Sequence, residues 1–237
     1  METKSFSESL SPYQADGGKA YHEAIHGGLG RHGYSLVATR RAAKIQPYVR
    51  DTDQVLEYGV GPGWNLAKIK AGRRKGYDVA AATRSWVEDQ GLEFAEEIIP
   101  GDFAAYDVVI CSHVLEHMLK PTEALETIWN CLKPNGKALL YVPFDYERKF
   151  RKYDVDEPNH HLYSWNVQSF SNLVILHGFT ILECKLRLFG YERIVAIWVE
   201  KLKLPGWMYT LLLRVALFLM PGYEVELIVA KSNSKEN

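Results

Sequence analysis

Little in this chain suggests an extracellular, metal-scaffolded or nucleic-acid-binding protein. Cysteine occurs three times in 237 residues, at Cys111, Cys131 and Cys184. Those spacings fit neither a zinc motif nor a redox pair, so buried free thiols and a cytoplasmic location are expected. An excess of one charge is missing too: 28 Lys and Arg face 29 Asp and Glu, for a formal net charge of −1. The short basic cluster Lys70, Arg73, Arg74 and Lys75 reads as the solvated end of a helix, where cations complement the dipole. Without a concentrated Lys/Arg footprint, nucleic acid is not favoured as a substrate. The first sixteen residues are polar and lack the charged-then-apolar layout of a signal peptide.

A long hydrophobic run is also absent. The one membrane-like segment, Trp207 to Met220, lies between Pro205 and Pro221. As a helix it would span ~21 Å at ~1.5 Å per residue, against ~30 Å for a bilayer core. It is too short to cross. Thr210 and Arg214 would form a narrow polar stripe on an otherwise apolar helix. A packed core or homodimer helix is the favoured reading, with membrane surface contact or a cap over a lipid substrate as alternatives.

What the chain does contain is concentrated in Val55-Leu-Glu-Tyr-Gly-Val-Gly-Pro-Gly-Trp-Asn65. This is a short buried strand ending in an acid, followed by a glycine-rich turn. Gly59, Gly61 and Gly63 recur every second residue, where main chain must turn sharply and let a ligand lie against it. A helix over 65–75 would face the same ligand with its positive end. Strand, glycine turn and helix together form a nucleotide-type cradle at the carboxyl edge of a parallel sheet. The dinucleotide fingerprint requires G-x-G-x-x-G. The E-x-G-x-G-x-G found here suits a ligand without a pyrophosphate and with a positively charged end.

Downstream, strands and helices alternate, which argues for a parallel sheet covered on both faces. Strands are expected at 55–58, 77–82, 95–99, 107–111, 137–142, 179–186 and 225–230. Helices are expected at 37–49, 65–75, 122–131 and 166–177, with a short turn or helix at 85–88. Pro121 starts the 122–131 helix, and Pro134-Asn-Gly136 follows its end. Gly178 closes the 166–177 helix. Residues 27–33 are glycine-rich and read as a loop.

Four motifs resemble those of the class I S-adenosylmethionine-dependent methyltransferases, in particular their small-molecule branch. They are the glycine turn, the apolar strand ending Ser112-His-Val-Leu-Glu-His117, the Leu132-Lys-Pro-Asn-Gly136 turn, and His161-Leu-Tyr-Ser-Trp165 ahead of a helix and Gly178-Phe179. The resemblance spans roughly residues 40–200. It implies an α/β, Rossmann-like, doubly wound seven-stranded sheet, mostly parallel with an antiparallel last strand, plus helical cap elements. It further implies a lead-in or lid at 1–38, with Tyr13, Tyr21 and His26 as lid candidates. The methyltransferase domain would occupy 39–237 with a cap insertion at about 189–222.

The activity implied is methyl transfer from S-adenosyl-L-methionine to an oxygen or nitrogen of a small acceptor, such as a sugar, lipid precursor or secondary metabolite. One alternative keeps the fold and cleaves or cyclises the aminopropyl side of the cofactor. Another is a non-catalytic relative that serves as a binding partner. By the resemblance, Glu57 and Tyr58 with Gly59, Gly61 and Gly63 surround the amino acid end of the cofactor. Asp102 and Phe103 meet the adenine, and Ser112 and His113 lie near the sulfonium. Counted along the expected second strand, the usual ribose-binding acid falls on Thr83, which lacks the charge that strengthens such bonds. Candidate bases are His161, His160 and His113, with Glu116 and His117 read as structural. Only His113 and His117 have helical ligand spacing, so no metal is expected. An aromatic and basic stretch from Phe144 to Trp165 offers an acceptor pocket or simply a solvated loop.

Overall fold

The computed structural model describes residues 27–144 and 161–231. Seven strands form, most of them from alternating or wholly apolar runs. They are β1 (Gln54–Tyr58), β2 (Arg73–Tyr77), β3 (Glu93–Ala95), β4 (Tyr106–Ser112), β5 (Leu132–Pro143), β6 (Phe179–Leu188) and β7 (Tyr223–Lys231). They make one sheet in the order β3-β2-β1-β4-β5-β7-β6. The pairs β1–β2, β1–β4, β2–β3 and β4–β5 are parallel, whereas β7 runs antiparallel to both β5 and β6. Strand order reverses at β1, whose neighbours β2 and β4 continue in opposite directions, and the crevice there is the usual ligand position of an open α/β sheet.

Side chains alternate across the sheet and bury both faces. Leu56, Val109, Cys111, Leu140, Val142 and Leu227 pack under α3 (Pro121–Cys131) and α4 (Val167–Leu176) through Leu125, Ile128, Phe170 and Val174. Val55, Val108, Ile110, Leu139 and Ile228 meet Ala42 and Ile45 of α1 (Arg31–Ile45) and Val87 of the short α2 (Arg84–Glu88). Residues 189–222 contain α5 (Glu192–Lys201) and α6 (Trp207–Leu219). A third cluster joins these helices to α1 and to the glycine turn through Val37, Trp64, Val199 and Leu213. Glu200 Oε2 accepts from the Gly30 N–H at 2.8 Å, and Glu192 pairs with Arg40 and Arg41. Helix α6 buries Tyr209, Leu213 and Leu217 and leaves Leu211, Val215 and Phe218 exposed, so it is half core and half surface. Among the described residues, no helix is long and apolar enough to cross a membrane.

Several expected boundaries move. No helix forms at 65–75, where turns lead directly into β2 at Arg73. Arg73, Arg74 and Lys75 of the basic cluster are therefore strand, and Lys70 precedes it. Lys75 is buried against Asp102 at 2.6 Å, Arg73 pairs with Glu93, and Arg74 donates to the carbonyls of Leu66 and Ala67. The second strand ends at Tyr77, not at 82, and a 3₁₀ turn occupies Ala81–Thr83. The third strand shifts from 95–99 to Glu93–Ala95. Helix α1 begins at Arg31, inside the expected glycine loop, and runs through position 38. Cys111 and Cys131 are buried, but Cys184 is exposed on β6.

Candidate functional site

At the carboxyl ends of β1, β2 and β4 a cavity of about 380 Å³ opens, within the ~300–1,000 Å³ usual for small-ligand pockets. Its floor is the glycine turn. Gly59 adopts φ +76°, and a Cβ there would lie 2.3 Å from Val114 Cγ2, so a side chain is excluded both by backbone conformation and by space. Gly61, at φ +49°, sends its N–H to Asp78 Oδ2 at 2.8 Å. Tyr34 of α1 donates its hydroxyl to the Pro62 carbonyl at 2.7 Å and fixes the turn from the other side.

Glu57, at the tip of β1, is wholly buried in this wall. Oε1 accepts from Asn65 Nδ2, while Oε2 has no hydrogen-bond partner. Burial pushes its pKa up to about 8, against the lowering effects of the Asn65 bond and of Arg41. An orphaned, desolvated carboxylate lining a cavity is a receptor for a cation. Asp78 follows β2, lines the same cavity and is 7% exposed. Its two oxygens accept from the Gly61 and Ala80 N–H groups at 2.8 and 2.9 Å. A carboxylate offers about four lone-pair sites, more than these two bonds use.

The opposite wall comes from the β4 end. Ser112 lines the cavity with an unpartnered Oγ. His113 is held at φ +57°, a left-handed conformation uncommon for a non-glycine residue, with its N–H on the Tyr141 carbonyl at 2.9 Å. Its ring stacks on Phe189, and Nε2 lies 3.0 Å from Glu224 Oε2. Burial opposes its charge, but the carboxylates of Glu116 and Glu224 outweigh that and raise its pKa. Buried Lys44 completes the row, 2.7 Å from Glu224 Oε1 and above the Tyr141 ring. Burial likewise opposes the charge on Glu224, but Lys44 and His113 lower its pKa to about 2.

The structure brings together Glu57, Tyr58, Gly59, Gly61, Ser112, His113 and His161 around one cavity. Gly63 shapes the turn through its N–H bond to the Val60 carbonyl without lining the cavity. Thr83 is fully buried in the 3₁₀ turn, bonds the Ala80 carbonyl and does not line this cavity. Asp102 and Phe103 also lie away from the cavity. Asp102 is committed to Lys75, Tyr106 and the Ile99 N–H, and Phe103 is exposed. His160, Tyr13, Tyr21, His26 and most of the aromatic and basic stretch fall outside the described residues. Sequence reasoning missed Asp78, Asn65, Arg41, Phe189 and Glu224. For Asp78 a signal existed, because Lys75-Gly-Tyr-Asp78 is a strand end with a carboxylate directly after it.

A larger cavity of about 590 Å³ lies beside this one, with Phe189 bordering both. Its cations Arg40, Lys44, Lys185 and Arg187 are each paired with a glutamate, so it presents no free charge of either sign.

With this geometry in place, comparison with known proteins is informative. A family model described as a methyltransferase domain matches residues 31–184. The probable methyltransferase ltbC of Aspergillus luteorubrus is 31% identical over 122 residues, which cover 42% of this chain and 43% of that protein. Among solved structures, the Burkholderia thailandensis 1,6-didemethyltoxoflavin-N1-methyltransferase, with bound 1,6-didemethyltoxoflavin and S-adenosylhomocysteine, superposes with a TM-score of 0.59. It shares 13% identity and covers 98% of this chain and 93% of its own. A Haemonchus contortus phosphoethanolamine N-methyltransferase 2, in complex with phosphomonomethylethanolamine and S-adenosylhomocysteine, gives a TM-score of 0.59. It shares 18% identity and covers 98% of this chain and 61% of its own. At these identities the solved structures attest to the fold alone.

Proposed function

Since the chain belongs to the class I S-adenosylmethionine-dependent methyltransferase family, we propose that the cavity at the ends of β1, β2 and β4 binds S-adenosyl-L-methionine and that the chain methylates an oxygen or nitrogen of a small acceptor. The cofactor supplies an electrophilic methyl group on a sulfonium. The residues present fit it. The unpartnered Oε2 of buried Glu57 would receive the ammonium end. The main chain of the Gly59–Gly61 turn, with no Cβ at Gly59, would lie along the amino acid portion. Asp78, not Thr83, would take the ribose hydroxyls, as the carboxylate on the cavity wall just past β2. Ser112, His113 and His161 border the side left for the acceptor.

The observation that carries this reading is the pairing of an orphaned buried carboxylate on β1 with a second carboxylate just past β2 across one cavity. Chemistry at the aminopropyl side loses the feature that favoured it, because an acid does stand at the end of β2. Trp64 is buried in the cavity wall under Arg41, so its emission is a direct reporter. Titration with S-adenosylhomocysteine should change Trp64 fluorescence with saturation at a stoichiometry of one. No change at millimolar ligand, with the fold intact, refutes the assignment.

A further inference from the structure

Glu116 lies at the inner side of the cavity with its side chain fully buried, and neither of its carboxylate oxygens has a hydrogen-bond partner. Neighbouring imidazoles meet its charge only at distances too long for good hydrogen bonds, a costly arrangement for a buried carboxylate. Imidazole nitrogens of His117 and His113 stand 3.8 and 3.5 Å from Oε1. His161 closes the group. One ligand atom from each of Glu116, His117 and His161 lies within 4.8 Å of the others, and the two rings meet edge-on at 4.9 Å. The segment carrying His161 is fixed there by main chain, because Leu162 and Tyr163 both donate N–H bonds to the Glu116 carbonyl.

We propose that Glu116, His117 and His161 bind a first-row divalent transition cation, and that its open coordination position faces the cavity to hold an oxygen of the methyl acceptor. Two imidazoles and one carboxylate suit Zn²⁺ and its neighbours better than Mg²⁺ or Ca²⁺, which prefer oxygen ligands. Three protein ligands with an open site are the arrangement of catalytic rather than structural centres. All three side chains line the same cavity as Glu57, so the ion would sit between the cofactor pocket and solvent. His113 bridges Glu116 and Glu224 and would orient the carboxylate, the usual outer partner of a metal ligand. A hydroxyl bound to such an ion is acidified and releases its proton to water, which assigns the acceptor atom to oxygen rather than nitrogen. That last assignment rests on the methyl-transfer reading; the ion site does not.

The test uses chain stripped with a chelator and titrated with Co²⁺ and Zn²⁺ by calorimetry and visible absorption. S-adenosylhomocysteine binding is followed in parallel by Trp64 emission. One ion per chain should bind, Co²⁺ should give ligand-field bands, and His161→Gln should lower the affinity at least tenfold while leaving nucleoside binding within twofold. His161 sits on a partly exposed segment, so this variant should fold even where Glu116→Gln does not. No stoichiometric transition-metal binding, a preference for Mg²⁺, or unchanged affinity in H161Q overturns the site. Loss of nucleoside binding by the unmodified chain sinks the methyl-transfer reading instead and leaves the ion result to stand on its own.

Discussion

Substituting Glu57 by Gln separates charge from shape at the centre of the site. Glu57 is fully buried, and its pKa is raised from 4.5 to about 8. At about 1.36 kcal/mol per unit, holding it ionised in the free protein costs on the order of 5 kcal/mol. The sign for stability follows. Between the unfolded value of 4.5 and the folded value of about 8, the folded chain keeps a proton that the unfolded chain has lost. Stability from this group is thus greatest below 4.5 and falls as pH rises toward 8. A ligand ammonium beside Oε2 reverses the preference, so binding below pH 8 should expel one proton.

The affinity of wild-type protein for S-adenosylhomocysteine should then rise about 20-fold between about pH 6 and about pH 7.5, a range in which a model α-amino group (pKa ~7.7–8.0) remains mostly protonated. Calorimetry in two buffers of different ionisation enthalpy should count close to one proton released. In E57Q the Asn65 bond is retained by the amide oxygen, the pH slope vanishes, and affinity at pH 7.5 falls by roughly 10- to 150-fold, the ~1.5–3 kcal/mol of a charged hydrogen bond. The thermal stability of E57Q should also lose the decline that wild type shows from pH 5 to 8. If E57Q keeps the wild-type slope, or no proton is released, Glu57 does not meet the ammonium.

Other expectations are independent of that one. Asp78→Asn should weaken S-adenosylhomocysteine by one to two decades in equilibrium titration, because the amide also cannot accept both backbone bonds that tie β2 to the glycine turn. Thr83→Val should leave that affinity within twofold, and an effect equal to that of D78N would restore Thr83 as the ribose partner. Gly59→Ala should abolish Trp64 quenching, since a methyl at φ +76° must displace Val114 from 2.3 Å; wild-type titration curves for G59A would refute the close approach. Lys44→Met should lower stability by about 1.5–3 kcal/mol in denaturant melts, the worth of a hydrogen bond to a charged group, because Glu224 would lose Lys44 and keep His113.

The sheet could be read from sequence wherever strands were apolar and helices amphipathic. β1, β4, α3, α4, β6 and β7 all fall within a few residues of their expected places. β2 was hidden because Arg73, Arg74 and Lys75 carry the charge density of a helix end. Their partners Glu93, Asp102 and the Leu66 carbonyl come from other parts of the chain, and local patterning cannot reveal them. Misplacing β2 put the expected strand-end acid position on Thr83, whereas the carboxylate that follows the strand is Asp78. The pairing of Asp102 with Lys75 was hidden for a related reason, because Lys75 had been assigned to solvent. The glycine turn was legible because its need is local: backbone angles that only glycine adopts without strain. The cluster around Glu116 was not, since residues 116, 117 and 161 meet only once β5 and the return segment are in place.

The missing helix between β1 and β2 has a consequence for assembly. That connection is reduced to turns, so the cradle's outer support comes from Tyr34 and Arg41 on α1, braced in turn by Glu192 and Glu200 on α5. Residues from opposite ends of the chain thus share one buttress. A version of this protein cut short before residue 192 would carry its glycine signature intact yet lack the two carboxylates that brace α1 behind the cradle.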